Sequence, residues 1–470
     1  MNTPTAAQSP RPNSSEARDV ANVLHPYTDL RSHLDTGPMI VGSGQGVRVY
    51  DEHGREYLES MSGLWCASLG FSNERLVQAA AAQMRKLPFY HGFNGKSHPA
   101  MIDLAEMLIA RAPAPMSKVF FANSGSEAND SAIKMIWYMN NALGRPEKKK
   151  LIGRVKGYHG VTIASASLTG LPTNHRSFDL PLPGFLHTMT PHYYHGGFPG
   201  ETVDEFTTRC ADELEKLILA EGPDTVAAFF AEPVMGAGGV IVPPLGYFPK
   251  IQAVLRKYDV LMVADEVICG FWRTANYWGS QTYGIQPDIL TCAKALSAAY
   301  VPISAVMVNE RVFGPIADES HKIGAFGHGF TYSGHPVAAA VAVETLKIYD
   351  EIEIGEHVRT VGPHLQAELR RRFAAHPLVG EVRGVGLIGA IELVSNKATH
   401  ANFDPALKVG ARWAKLVEAN GVISRAMAGD ALAFSPPLIV TVGEIDAILH
   451  RVGKALEELH AQLRKEGVVS

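Results

Sequence analysis

The stretch VLMVADEVICGFWRTA, residues 260–275, runs five apolar residues straight into two carboxylates, Asp265 and Glu266, followed by Val267 and a turn at Gly270. A short continuous apolar run reads as a strand buried on both faces, and ligands of open α/β sheets collect beyond the carboxyl ends of such strands. An acid there can cap a helix, bind magnesium, or hold the protonated nitrogen of a pyridine ring. The flanking sequence repeats the pattern. KVFFA (118–122), LIGRV (151–155), TIASAS (162–167), VAAFFA (226–231) and ISAVMV (303–308) read as strands, whereas 127–141, 202–219 and 246–258 carry helical periodicity. Their alternation predicts a mostly parallel sheet covered by helices.

On either side the pattern changes. VRVYDEHGREYLE (47–59) reads as a hairpin turning at His53 and Gly54, and helices are expected over 74–86 and 98–111. Charged helices and a second hairpin signal, EVRGVGLIGAIEL (381–393), fill the chain after 350. The expected organisation is a flexible arm at 1–24, one part of a smaller domain at 25–75, a large domain at 76–335, and the rest of the smaller domain at 336–470.

The 470 residues hold 43 Lys and Arg against 47 Asp and Glu, a net charge of −4, which gives nucleic acid or an anionic membrane no general reason to bind. The four cysteines, Cys66, Cys210, Cys269 and Cys292, include no close pair, so neither a disulfide framework nor a CxxC motif is indicated. The first twenty residues lack the apolar core of a signal peptide, and no stretch approaches the roughly 18 apolar residues of a membrane span. A cytoplasmic setting is therefore expected. GSGQG (42–46) lacks the third glycine of a dinucleotide fingerprint and precedes a strand, and His187, His192 and His195 read as scattered loop histidines rather than a metal site. No metal is expected.

Three further segments carry chemistry alongside Asp265. In FFANSGSEANDSAIKMI a strand leads through Asn123, Ser124, Gly125 and Ser126 into a helix beginning at Glu127. Free amides at a helix start, a glycine and two hydroxyls suit a phosphate, although an ordinary helix with Ser126 as its N-cap has the same sequence. In KGYHGVTIAS, Tyr158 and His159 sit in a loop ahead of an expected strand, where an aromatic ring stacks on a planar cofactor or packs into the core. Lys294, in PDILTCAKALSAAYVPISAVMV, lies in an uncharged setting from Thr291 to Asn309. A lysine there either snorkels to the surface or has a depressed pKa, which makes it a nucleophile toward an aldehyde. A phosphate cup, an acid, an aromatic and a reactive lysine together match the needs of pyridoxal 5′-phosphate.

These segments, with GLWCASLGF (63–71), LPFYHGF (87–93), EPVMGAGG (232–239), HGFTYSGHP (328–336) and SRAMAGDALAFSPPL (424–438), resemble the class III pyridoxal-phosphate aminotransferases, and within them the ω-amino acid:pyruvate and amine:pyruvate transaminases. The resemblance covers nearly everything after residue 25. It implies the aspartate-aminotransferase-like fold type I, an α/β fold with a mostly parallel seven-stranded sheet and a smaller α+β domain. By position it implies Lys294 as Schiff-base lysine and proton carrier, and Asp265 as partner of the ring nitrogen. Ser124, Gly125 and Ser126 would lie at the phosphate, with Thr331 reaching it from the other subunit. Tyr158 would stack on one ring face and Val267 on the other, with His159 and Glu232 also at the cofactor. Leu64, Trp65, Phe93, Tyr158 and Arg425 would shape substrate choice, Arg425 meeting a carboxylate. The resemblance further implies a homodimer with shared sites, while pairing into tetramers stays open. The implied reaction moves an amino group from an amine donor to a 2-oxo acid, pyruvate, through pyridoxamine 5′-phosphate. A glutamate-using relative, a decarboxylase, an aminomutase and a non-catalytic scaffold are the competing readings.

Overall fold

Three short strands, Val41–Gln45 (β1), Arg48–Asp51 (β2) and Glu56–Glu59 (β3), form an antiparallel meander whose second turn contains His53 and Gly54, as the hairpin reading anticipates. Lys118–Ala122 (β4), Lys150–Arg154 (β5), Phe185–Thr188 (β6), Val226–Ala231 (β7), Leu261–Asp265 (β8), Ile289–Cys292 (β9) and Ser304–Val308 (β10) follow. They make one seven-stranded sheet in the order β4-β10-β9-β8-β7-β5-β6, parallel from β9 to β6, with β10 antiparallel to both its neighbours. Val379–Val385 (β11), Ile388–Leu393 (β12), Val422–Ile423 (β13), Arg425–Met427 (β14) and Ala431–Phe434 (β15) complete the strands. β13 pairs in parallel with β3, and the other four form an antiparallel sheet in the order β11-β12-β15-β14. A large, mostly parallel sheet thus stands beside a smaller α+β part, the architecture that the type I resemblance implies.

The computed structural model describes residues 13–469. The first twelve residues of the expected arm lie outside it, and Ser15–Asn22 within that arm is helical. Among the described residues, no helix is long and apolar enough to cross a membrane.

Strand periodicity builds two cores on the large sheet. Leu151, Ala228, Phe230, Leu261 and Val263 face one side, where helices Gly125–Ala142 and Glu310–Ile323 pack. Their neighbours Ile152, Phe229, Ala231, Met262 and Ala264 face the other, against Val203–Glu221 and Tyr247–Lys257. Both faces are buried, which explains why these strands read as continuous apolar runs.

TIASAS departs from expectation. Ile163–Leu168 is a helix, and the edge strand is the short FLHT of β6 instead. Alanine and serine, four of the six residues here, have little β preference, and local hydrogen bonds decide the outcome. Asp130 Oδ1 accepts from Ser165 N at 2.8 Å, while the Thr162 and Ser165 hydroxyls pair at 2.7 Å.

Glu59, at the end of β3, builds the turn that follows. It is 3% exposed, and its Oε1 accepts from Met61 N at 2.6 Å, ahead of a turn in which Ser62 and Trp65 both adopt positive φ. Burial pushes its carboxyl up from 4.5 to about 7, against backbone hydrogen bonds from Met61 and Gly63. With its folded value above the unfolded one, Glu59 retains a proton in the folded state between about 4.5 and about 7. Stability therefore falls as pH rises through that window. We expect Glu59→Gln, which keeps an acceptor, to flatten that decline by about 3 kcal/mol, as measured by denaturant unfolding on both sides of the window.

Candidate active site

Asp265 ends β8 at the carboxyl edge of the parallel strands and is 4% exposed. Three donors fix it. Asn129 Nδ2 donates to Oδ2 at 2.8 Å, His159 Nδ1 lies 2.9 Å from the same oxygen, and Val267 N donates to Oδ1 at 3.2 Å. Asn129 is itself oriented by Thr291 of β9, whose hydroxyl donates to Asn129 Oδ1 at 2.9 Å. Strand alternation sends the neighbouring acid the other way. Glu266 accepts from Gly279 N at 2.9 Å and from the Ser280 hydroxyl at 2.6 Å, and burial pushes it up to about 7. The helix-capping and cofactor readings of the two acids are thus divided between them.

Lys294 lines the same cleft as Asp265, in the residue after Ala293 beyond β9, and holds φ at 50°. Positive φ at a lysine is strained backbone of the kind that concentrates at functional sites. Burial pulls its ammonium below the usual lysine range, and Asp265 is the strongest of the charges opposing that shift.

Helix Gly125–Ala142 points its amino end at the cleft, where Gly125, Ser126 and Gly160 form the wall. The N-cap is Ser124, not Ser126: its hydroxyl accepts from Glu127 N at 3.2 Å. Ser126 Oγ accepts from Val161 N at 3.1 Å, tying the Tyr158–Gly160 loop to the helix start. A Cβ on Gly160, where φ is 138°, would come within 2.4 Å of Ser165 Oγ, and one on Gly125 within 3.1 Å of Val267 Cγ1. The cleft is therefore a small anion cradle joined to an acid and a buried lysine, which fits pyridoxal phosphate in donor chemistry.

Tyr158 lines this cleft, and its backbone N donates to Glu232 Oε1 at 3.0 Å. Glu232 is buried, also accepts from Gly236 N at 2.9 Å, and is pushed up by desolvation. Burial raises the Tyr158 phenol as well, and the nearby Tyr27 adds to the shift. Tyr27 was not singled out from the sequence, yet its hydroxyl accepts from Asn174 Nδ2 at 2.6 Å and its ring lies 5.8 Å from the Arg425 guanidinium carbon. Nothing in the sequence around Tyr27 or Asn174 marks them. Asn129 was legible in principle, because it falls one helical turn after Gly125 and shares its face.

Trp65 is 3% exposed and packs with Ile268, Val240 and Met427, whereas the adjacent Leu64 is 53% exposed. Phe93 and Thr331 are exposed and absent from the wall of their own chain's cleft. They belong to neighbouring loops instead: a Cβ on Gly329 would come within 2.4 Å of Phe93 Cε1.

Residues 32–456 match the family model described as aminotransferase class-III. The ω-transaminase of Pseudomonas jessenii, solved in complex with PMP, is 56% identical, with 96% of this chain and 99% of that one covered at a TM-score of 0.94. A transaminase solved with L-alanine is 57% identical over 90% of this chain and 100% of its own, at a TM-score of 0.89. Gamma aminobutyrate transaminase 1, mitochondrial, of Solanum lycopersicum is 51% identical over 94% of this chain and 86% of its own length. That relative is named mitochondrial and a second tomato transaminase chloroplastic, which overturns the expectation of a cytoplasmic setting. The family match over most of the chain agrees with a cleft that unites a helix-capped anion cradle, a pinned aspartate and a buried lysine: the protein belongs to the class-III, pyridoxal-phosphate-dependent aminotransferases.

Proposed function

We propose that this enzyme transfers an amino group from an amine or ω-amino acid to pyruvate, releasing an aldehyde or ketone and L-alanine. The observation that carries the reading is Arg425 beside Tyr27, near enough for its charge to act on Tyr158, which lines the cleft that holds Asp265 and Lys294. Among the described residues Arg425 makes no ion pair, and it rests against the Tyr27 ring. An arginine free of carboxylate partners is ready to take a substrate carboxylate bidentately. It also turns aside at little cost when the donor is an uncharged amine. The L-alanine-bound and PMP-bound relatives support the same pairing of cofactor and acceptor.

Lys294 would hold pyridoxal phosphate through Nζ, Asp265 would face its ring nitrogen, and Gly125, Ser126 and Gly160 would receive the phosphate. Tyr158 and Val267 would cover the two ring faces, with Glu232 and His159 behind the cofactor. When bound, the cofactor supplies an electron sink for the carbon that carries the amine. Lys294 Nζ would then take the proton from that carbon and pass it on to the cofactor rather than back to the same carbon, and the lowering of its pKa by burial favours the neutral amine that a base needs. Asp265, pinned by Asn129, His159 and Val267, provides a fixed negative charge that needs no reorganisation during the reaction. Leu64 would meet the substrate from its exposed position, while Trp65, packed against Ile268 of the cleft wall, would shape the pocket from behind.

Phe93 and Thr331 lie together on the outside of the chain, alongside exposed Phe89 and Tyr90. We read this patch as the part of a homodimer that completes the partner's cleft, Thr331 at the phosphate and Phe93 at the substrate. The chain division proposed from the sequence, with residues 76–335 as the large domain between two parts of a smaller one, suits the shared β3–β13 pairing.

Three outcomes test this reading. Lys294→Ala should fold and lose transamination by about a thousandfold or more, and the visible absorbance of the lysine-linked cofactor should vanish with it. Turnover near the parent's would remove Lys294 from its role. Arg425→Ala should slow the single-turnover reaction with pyruvate by about thirtyfold, equivalent to about 2 kcal/mol, and leave the half-reaction with an uncharged arylalkylamine within about threefold. Equal losses in both half-reactions would show that Arg425 serves the fold. Dilution followed by sedimentation and activity together should show activity disappearing as dimers dissociate, and active monomers would refute the shared site.

A further inference from the structure

The strand pairing of the smaller sheet aligns two arginines on one face. Arg383 of β11 pairs with Ala390 of β12, Ala390 with Ala433 of β15, and Ala433 with Arg425 of β14. Directly paired residues share a face, so Arg383 and Arg425 stand three strand spacings apart, about 14 Å, with only alanines between them. The next row on the same face is Glu381, Glu392, Ala431 and Met427. This face therefore carries two carboxylates, Glu392 lying roughly 12 Å from Arg425 along the backbone grid.

Those carboxylates are consumed. Arg383, 6% exposed, donates through Nη1 to Glu381 at 2.5 Å and to Glu392 at 2.6 Å, and through Nη2 and Nε to Gly239 O at 2.6 and 2.9 Å. His192 Nε2 lies 2.8 Å from Glu381 Oε2, and His195 bonds Glu392. The histidines expected to be scattered are thus two parts of one network, while His187 stands apart, its Nε2 on Leu168 O at 3.0 Å. Against desolvation, which raises it, the hydrogen bond from His195 and the charges of Arg383 and His192 hold Glu392 down to about 2, and Lys156 is a further cation within its range. A guanidinium already between the carboxylates argues against a metal there.

We propose that Arg383 is a positioning residue for anion recognition: by cancelling one of the two negative charges of Glu381 and Glu392 it keeps the potential on this face less hostile to a substrate carboxylate at Arg425. The proposal rests on Arg425 as the carboxylate receiver. An uncompensated unit charge at that separation, screened as at a protein surface, changes anion affinity by about tenfold. A neutral amine does not feel it.

The test compares holoenzyme variants in separate half-reactions. Arg383→Met should raise the apparent KM for pyruvate about tenfold with kcat little changed, and leave an uncharged arylalkylamine within about twofold. Adding Glu392→Gln should return most of the pyruvate KM, because it removes the charge that Arg383 had compensated. A purely structural role predicts losses with both substrates and no recovery in the double variant, and either result overturns the proposal. If Arg383→Met is insoluble, Arg383→Lys, which keeps the charge and loses the fork, should leave the pyruvate KM within about threefold. A rise as large with the amine as with pyruvate would again refute it. Arg425→Ala measured in parallel separates the two readings: unchanged pyruvate kinetics there would remove the receiver itself, whereas a pyruvate-selective loss there with none in Arg383→Met removes only the role of Arg383.

Discussion

A carboxylate at the end of a strand buried on both faces is costly unless its surroundings are built to hold it, and Asp265 is held from three elements at once. Asn129 reaches it from the helix that starts the anion cradle, His159 from the loop that carries Tyr158, and Val267 from its own chain direction. Each of these donors also frames another part of the cleft. Asn129 donates to His159 O, Thr291 orients Asn129, and Ser126 ties the Tyr158 loop to the helix start. The position of the aspartate, the cradle and the aromatic wall are consequently one hydrogen-bonded object. Lys294 faces that object from the strained residue beyond β9, where a carboxylate is the principal counterweight to its desolvation.

The parts of this site legible in the sequence are those whose chemistry conflicts with their setting. Lys294 in an uncharged run and Asp265 at the end of five apolar residues both announce themselves, since an ordinary core tolerates neither. Gly125 and Ser126 become legible through the strand-to-helix junction around them. Residues that contribute by ordinary hydrogen bonding leave no such trace: Tyr27 and Asn174 look like any surface tyrosine and loop asparagine, though they meet beside Tyr158. The same reasoning explains the choice of Ser126 over Ser124 as N-cap, because two serines flanking one glycine are indistinguishable until the backbone shows which is extended. Phe93 and Thr331 were named from resemblance, and no property of the residues alone separates a wall of one's own cleft from a wall lent to a partner.

At the level of fold, the parallel strands were readable because burial on both faces makes them uniformly apolar. TIASAS failed because alanine and serine satisfy either structure, and Asp130 settles the matter from a distant helix. The last three strands were the least legible. β13, β14 and β15 are two to four residues long, and their pairing depends on partners far away in sequence.

That dependence bears on how the molecule is made. Leu58 and Glu59 pair with Val422 and Ile423, and the Ser60 hydroxyl donates to a carbonyl 363 residues further along. During synthesis the amino-terminal meander leaves the ribosome first and must wait for almost the whole remaining chain before its edge strand finds a neighbour. The large sheet can condense in the meantime, since all its strands fall between Lys118 and Val308. The strand edge beside the turn bearing Trp65 therefore has no partner until Val422 and Ile423 have been made, long after the strands of the large sheet, and an unpaired edge of that kind is a site where chains can associate wrongly.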